Sequence, residues 1–259
     1  MRKRFYQAII YVAVGVFCLI GIVFIARLGL KPKRVPVPPR NLGELSAAVR
    51  EGMTGGWSAK EVPISLQDYV NANLKDPLDA PQSDVDNNLI QLQEGLHKFG
   101  GVPFDVSGTI QLAGTGLPAG VKSLPIQVTN ILIGRKFKTL SIFHGATGIQ
   151  PQFFGTAVAS LILHYSDGSQ RELKIISGAD VLNCIAQPMP PNLAKLDAVT
   201  TQLAWVGENK YLNDLQNGKF LHLFRTTFQN PIPKVKVESM DYVSAMANPA
   251  PFMVGLTVQ

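Results

Sequence analysis

The stretch that decides the fold class is Ser160-Leu-Ile-Leu-His-Tyr-Ser-Asp-Gly-Ser-Gln-Arg-Glu-Leu-Lys-Ile-Ile176. Asp167-Gly168 separates two runs rich in Ile and Leu and is typical of a type I′ turn, in which both central residues have positive φ. Pairing outward from a two-residue turn places His164 opposite Arg171. The stretch therefore predicts a tight antiparallel hairpin.

Short apolar runs of the same kind continue on both sides of the hairpin, separated by Gly, Pro, Asn and Asp clusters. Nine strands with almost no competing helical pattern predict an all-β sandwich or barrel over residues 60–259. The predicted strands are Val102–Leu112, Ile126–Ile133, Thr139–His144, Ala157–Tyr165, Arg171–Ile176, Gln202–Val206, Phe220–Thr226, Lys234–Tyr242 and Phe252–Val258.

The strand at Lys234–Tyr242 opens with a clean alternation, in which Val235 and Val237 face inward. Pro231 and Pro233 precede it and cannot donate to a strand ladder. This pattern indicates a strand start or an edge strand.

A different pattern occupies residues 1–30. No charged residue occurs from Phe5 to Ala26, and a helix of that length spans roughly 30 Å, the thickness of the hydrocarbon core of a bilayer. A cleaved secretory signal is the alternative, but the exit at Phe24-Ile25-Ala26 has no small-x-small pair. We therefore expect an uncleaved transmembrane anchor that contacts the lipid bilayer through residues 5–26.

Residues 31–59 are expected to connect the anchor to the sandwich. Four prolines between Lys31 and Arg40 predict an extended, semi-rigid spacer. Asn41 and Glu44 form a capping-box pattern, which predicts a short juxtamembrane helix from Asn41 to Arg50.

The positive charge is concentrated near the anchor. Eight of the 24 basic residues lie in the first forty residues, which contain no acid, and the other 16 face 18 acidic residues. This distribution argues against nucleic-acid binding and suits attraction to anionic lipid headgroups. Three basic residues precede the apolar run and five follow it, and this count taken alone favours the alternative, a cytoplasmic C-terminal domain. The short basic start favours a cell-membrane protein with an extracytoplasmic C-terminal domain.

No catalytic motif is present. The chain lacks Gly-x-Ser-x-Gly and His-Glu-x-x-His, and its four histidines have no ligand spacing, so we expect neither an enzyme nor a metal or cofactor site. Asp105 and Asp180 are the best-placed acids for a carboxylate pair, and each has an ordinary alternative role in capping loop backbone. Cys184 is expected to be a small buried hydrophobe.

A binding role needs an aromatic platform and convergent polar groups. Trp205 ends a predicted strand before a polar loop that contains Asn209, and its indole could stack on a sugar face; a core tryptophan is the alternative. His144 lies where a strand gives way to a glycine-containing loop, and Asp180 lies in Gly-Ala-Asp-Val. These four residues are the candidate ligand-binding set.

Several motifs carry a family resemblance, which covers about residues 60–259. They are Gly101-Val-Pro-Phe-Asp-Val-Ser-Gly-Thr-Ile-Gln-Leu112, Ile133-Gly-Arg-Lys136, Leu140-Ser-Ile-Phe-His-Gly-Ala146, His164-Tyr-Ser-Asp-Gly168, Gly178-Ala-Asp-Val181, Ala204-Trp-Val-Gly207, Leu223-Phe-Arg-Thr-Thr-Phe-Gln-Asn-Pro231 and Val237-Glu-Ser-Met-Asp-Tyr-Val-Ser-Ala245. In this succession the chain resembles an uncharacterised module of Planctomycetes and Verrucomicrobia that is similar to galactose-binding-like jelly-roll domains.

The resemblance implies a jelly-roll sandwich that binds carbohydrate without catalysis. One departure is visible, because Leu182-Asn183-Cys184-Ile185 stands where aromatic residues are expected after Gly-x-Asp-Val. Two hypotheses follow: a module that binds a cell-envelope glycan, or a structural or signalling protein whose sandwich docks on an envelope protein.

Overall fold

A computed structural model describes residues 60–78, 86–117, 124–190 and 192–259. The predicted anchor, the proline-rich spacer and the juxtamembrane helix lie outside the described residues. Within the described ranges, no helix has the length and apolar character needed to cross a bilayer.

The described residues form thirteen strands and one short α-helix, with 3₁₀ turns at Pro151–Phe153 and Leu193–Lys195. The elements in chain order are β1 Val62–Ile64, β2 Gly95–Phe99, β3 Val102–Val106, β4 Ile110–Gln111, β5 Gln127–Arg135, β6 Thr139–Thr147, β7 Ala157–Tyr165, β8 Gln170–Ile176, β9 Ile185–Ala186, β10 Thr201–Gly207, α1 Lys210–Asp214, β11 Phe220–Gln229, β12 Val237–Ser244 and β13 Ala250–Val258.

Two antiparallel sheets form the body of the domain, which confirms the all-β prediction. The larger sheet has the order β1-β13-β6-β11-β10, with β4 added to β13 and β9 to β11. The smaller sheet has the order β5-β12-β7-β8. Alternating side chains of both sheets, such as Ile142, Leu161 and Met240, are fully buried in one shared core, as the two-residue period of a strand requires.

A second core covers the opposite face of the larger sheet. It is formed by the hairpin β2–β3, by α1, and by Leu74, Leu89 and Leu92. Phe99 of the hairpin stacks on Phe143 of β6 with ring centroids 4.3 Å apart and planes 8° from parallel. Both faces of the larger sheet are therefore covered, and we call this covering layer the cap.

The cap explains why the predicted strand Val102–Leu112 is two strands. Gly108 lies between β3 and β4 with φ +148°, and a Cβ at that position would fall 2.7 Å from the carbonyl oxygen of Ala72. At this point the chain leaves the cap and enters the larger sheet. The single apolar run Val102–Leu112 therefore forms β3 in the cap and β4 in the larger sheet. The strands β1, β2 and β9 were not predicted from the sequence.

The predicted hairpin exists, but its register is shifted by one residue. His164 pairs with Gln170 rather than Arg171. The connection has three residues, because Gly168 N–H donates to Tyr165 O and Tyr165 N–H donates to Ser169 O. Of the turn residues only Gly168 has positive φ, at 83°. A type I turn followed by one left-handed residue thus replaces the two-residue turn.

The prediction of an edge strand at Lys234–Tyr242 is wrong. The ladder begins at Val237, and β12 lies between β5 and β7 inside the smaller sheet. Val237 is fully buried, whereas Lys234 and Lys236 lie in the turn that precedes the strand. The two prolines therefore mark a strand start, the other interpretation of the pattern.

One edge of the smaller sheet is hydrogen-bonded by a side chain. The Tyr69 hydroxyl donates to Asn130 O at 3.1 Å and accepts from Leu132 N–H at 3.0 Å. Asn130 itself has φ 59°, and its N–H donates to the Asp241 carboxylate at 2.8 Å. The middle of β5 is therefore occupied on its outer side.

Candidate binding pocket

Trp205 is a core residue. It lies within β10, is 7 % exposed, and packs in the second core. Its ring lies directly over Gly207, where a Cβ would fall 2.1 Å from the indole Cη2. The indole therefore offers no stacking face to solvent, and the core alternative of the sequence analysis describes its placement.

Asn209 is the N-cap of α1. Its Oδ1 accepts from Leu212 N–H at 2.9 Å, and its Nδ2 donates to Asn87 Oδ1 at 3.0 Å and to Asn88 O at 3.2 Å. Side-chain capping of this kind satisfies helix donors that lack a partner within the helix. The carboxamide thus connects α1 to Asn87 and Asn88 through hydrogen bonds. Asn209 is 3 % exposed, so its side chain does not face solvent.

His144 and Asp180 are brought together by Thr226. The Thr226 hydroxyl donates to Asp180 O at 2.8 Å and lies 2.9 Å from His144 Nε2. His144 is in the middle of β6 rather than in a loop, and burial lowers its pKa to about 3. Burial also raises the pKa of the Asp180 carboxyl, whose Oδ2 accepts from Ile176 N–H at 2.8 Å.

The remaining residues singled out from the sequence are dispersed. Asp105 is a half-buried residue of β3 in the cap, whereas Asp180 follows β8 of the smaller sheet. Cys184 is fully buried in the second core, as the sequence predicts. Among the described residues, no group of three or more His, Cys, Asp or Glu side chains could hold a metal ion.

A pocket that the sequence analysis did not identify opens where β6 and β8 lead into their following segments. Its volume is about 120 Å³. The floor is apolar, because Ile149 and Leu182 belong to the sandwich core and are at most 5 % exposed. The lining residues are Ile149, Pro151, Phe154, Leu182, Asn183, Ala186, Pro190 and Asn192.

Phe154 forms a wall of this pocket and is held in place by Gly178. A Cβ at Gly178 would fall 2.9 Å from Phe154 Cγ, and Gly178 has φ 85°. Only glycine combines this backbone conformation with so close a contact at low cost. The Gly178-Ala-Asp-Val181 motif thus positions an aromatic ring of a different segment.

Two asparagines supply the polar groups of the pocket. Asn183 Nδ2 donates to Ile185 O at 2.8 Å, while its Oδ1 is buried without a donor among the described residues. Asn192 precedes the 3₁₀ turn at Leu193–Lys195, and its side chain makes no capping hydrogen bond. A carboxamide can donate two hydrogen bonds and accept two, so Asn192 can contact a polar ligand.

The size of the pocket limits its occupant. A cavity of about 150 Å³ holds one benzene molecule, and drug-sized ligands need about 300 Å³ or more. The pocket therefore accommodates one small ring or one branched side chain, with part of a larger ring at its mouth.

A sequence signal for this pocket did exist. The segment Leu182-Asn183-Cys184-Ile185, which departs from the expected aromatic pattern, contributes two of the lining residues. The aromatic ring comes instead from Phe154, 28 positions earlier in the chain. The two segments are distant in sequence and meet in the folded domain, where both line the pocket.

Comparisons with known proteins returned no match: no family model, no curated protein and no solved structure is significantly similar to this chain.

Proposed function

We propose that this chain is a membrane-anchored, non-catalytic binding module of the cell envelope, and that its pocket holds one ring of a carbohydrate. The observation that carries the proposal is the combination of the Phe154 wall with the Asn192 carboxamide at a ring-sized opening. A sugar presents an apolar C–H face and polar hydroxyls, which match an aromatic ring and a carboxamide respectively.

The anchor belongs to the same proposal. The uncharged run from Phe5 to Ala26 and the basic residues around it support attachment to a bilayer. The proposal places the sandwich on the extracytoplasmic side, where envelope glycans are accessible.

The finer fold assignment is also proposed. The chain passes repeatedly between the two sheets: β5 lies in the smaller sheet, β6 in the larger, and β7 in the smaller again. Its first and last described strands, β1 and β13, are paired. Crossings of this kind support a jelly-roll sandwich of the galactose-binding-like type.

A second function is favoured by a specific observation. The large hydrophobic side chains exposed within the described ranges are all aliphatic, and Leu132 and Val199 are 66 % and 90 % exposed. Sugar-binding surfaces favour exposed aromatic rings, and none of these exposed side chains is aromatic. Docking of the sandwich on an envelope protein is therefore the alternative.

Titration of the full chain in detergent micelles with envelope glycans and simple sugars, by calorimetry, tests the first function. We expect millimolar or tighter binding that falls at least tenfold in Phe154→Ala and in Asn192→Ala. Asn213→Ala is the matched control, because Asn213 is an exposed carboxamide on α1, outside the pocket. No glycan binding at millimolar concentration would contradict the proposal, and a crosslinked protein partner would then support the alternative.

A further inference from the structure

Arg225 is a charged side chain in an unusual setting. It lies on β11 and is half-buried, and its Nε is excluded from solvent with no acceptor among the described residues. Its one hydrogen bond within those residues runs from Nη1 to Thr227 Oγ1, at 2.7 Å. A guanidinium carries five N–H donors, so most of its hydrogen-bonding capacity is not used by the described part of the chain.

No negative charge balances Arg225 within the same ranges. The four ion pairs found there join other residues. Burial lowers the pKa of Arg225, and no carboxylate offsets this effect. A partly buried charge without a counter-charge is costly, so the arrangement suits a protein that receives the counter-charge from elsewhere.

Further donors lie beside the guanidinium. Gln202 is the exposed neighbour of Arg225 across the β10–β11 ladder. A Cβ at Gly100 would fall 2.4 Å from Gln202 Nε2 and 3.3 Å from Arg225 Cβ, so the three residues are in contact. The Gln202 carboxamide makes no hydrogen bond to the described residues. On the other side, Thr227 Oγ1 is held 2.8 Å from Ser141 Oγ.

We propose that Arg225 and Gln202 form a binding site for an oxyanion group, which reaches the guanidinium when the exposed Gln202 side chain rotates to face it, while Thr227 Oγ1 holds Nη1 in place. The Nε–H and Nη2–H groups share one edge of the guanidinium, and this edge matches the spacing of two oxygens in a carboxylate or sulfate. The Gln202 carboxamide then donates a further hydrogen bond.

This site is separate from the pocket. Arg225 pairs with Phe143 at the middle of β6, whereas the pocket begins at Ile149, after β6 has ended. The oxyanion is either a free ion or the acidic group of an envelope polymer. The two sources share one chemistry and are distinguished by the choice of probe.

Thermal unfolding of the full chain in detergent micelles tests the site, with sodium sulfate, acetate and glucuronate each compared with chloride at equal ionic strength. At ten times its dissociation constant, an anion that binds only the folded state should raise Tm by about 4 °C. Stronger binding of glucuronate than of acetate would identify an acidic sugar, and equal binding would identify a small anion.

Substitutions decide the outcome. Arg225→Gln should abolish the anion-dependent shift and raise Tm in chloride, because an unbalanced charge is removed. Gln202→Ala, an exposed change that leaves the fold intact, should reduce the shift. Arg171→Gln, which removes an exposed cation from β8, should leave it unchanged. The proposal is overturned if sulfate and the carboxylates shift wild type no more than Arg225→Gln, or if Gln202→Ala binds them as wild type does.

Discussion

His144 Nε2 lies 2.9 Å from Thr226 Oγ1 in the middle of the larger sheet, where His144 is 1 % exposed. The same hydroxyl donates to the main chain of Asp180. A neutral imidazole is satisfied in this position, whereas an imidazolium would be a buried charge that no described carboxylate pairs with. This explains why the pKa of His144 falls from 6.5 to about 3.

This lowered pKa should make the domain acid-sensitive. His144 takes up a proton below about pH 6.5 in the unfolded chain but only near pH 3 in the folded chain. Protonation therefore favours the unfolded chain between these two pH values. The free energy of unfolding is unaffected by His144 above pH 6.5 and decreases as the pH falls below it. The loss is about 3 kcal/mol between pH 6 and 4. Burial raises the pKa of Asp180, which acts in the opposite direction. The free energy of unfolding in urea is measured for wild type and His144→Gln across this pH range, and the difference between the two proteins gives the contribution of His144. If both free energies changed with pH in the same way, the lowered pKa of His144 would be contradicted.

Two buried tyrosines should respond oppositely to loss of their hydroxyl groups. Tyr242 is fully buried and its hydroxyl has no partner within the described ranges, whereas the Tyr165 hydroxyl donates to Asn230 Oδ1. Tyr242→Phe removes an unpaired polar group and should leave the free energy of unfolding unchanged or raise it by about 1 kcal/mol. Tyr165→Phe should lower it by about 1 kcal/mol. Chemical unfolding of the two variants measures both values, and equal losses would refute the contrast.

Trp205 should report the second core rather than ligand binding. The chain has two tryptophans, so Trp57→Phe leaves Trp205 as the one tryptophan emitter. Its emission should be blue-shifted relative to the unfolded chain, resistant to iodide, and unchanged by sugars. Adding Gly207→Ala forces the indole to move and should cost about 1–3 kcal/mol. Strong iodide quenching in the folded state would instead place the ring at the surface.

Asn209 should be important for stability through two separable contacts. Asn209→Ala removes the cap of α1 and the link to Asn87 and Asn88, and should cost about 2 kcal/mol. Asn209→Asp keeps the acceptor for Leu212 N–H but loses the donor, so it should cost less than alanine. Thermal unfolding gives the order of stability of wild type, Asn209→Asp and Asn209→Ala. If the aspartate variant were as unstable as the alanine variant, the hydrogen bonds to Asn87 and Asn88 would contribute more than the cap of α1.

Local patterns predicted much of the sheet structure. The alternation from Ala157 to Tyr165 and the turn pair at Asp167-Gly168 depend on neighbours along the chain, and both features are present. The register was shifted because Asp167-Gly168 fits two turn geometries equally well. Hydrogen bonds from Ser169 N–H and Oγ to the Asp167 carboxylate accompany the three-residue connection, and composition alone does not distinguish the two.

The candidate site was less predictable, because burial is set by layers that are distant in sequence. The residues next to Trp205 and His144 in the sequence indicate strand ends when each strand is considered alone. The cap buries Trp205, and β11 and the segment that carries Asp180 enclose His144. The sequence close to Trp205 and His144 does not predict these neighbours. The pocket likewise depends on Phe154 meeting the residue 182–192 segment.

At high protein concentration, the Tyr69 hydroxyl on the outer side of β5 protects this strand edge from pairing with another molecule. An open strand edge is a template on which another chain can polymerise into fibrils. Because Tyr69 already occupies the backbone groups of Asn130 and Leu132, a second molecule cannot extend the sheet across the middle of this strand. One phenolic oxygen thus helps to keep neighbouring copies from forming an amyloid-like assembly.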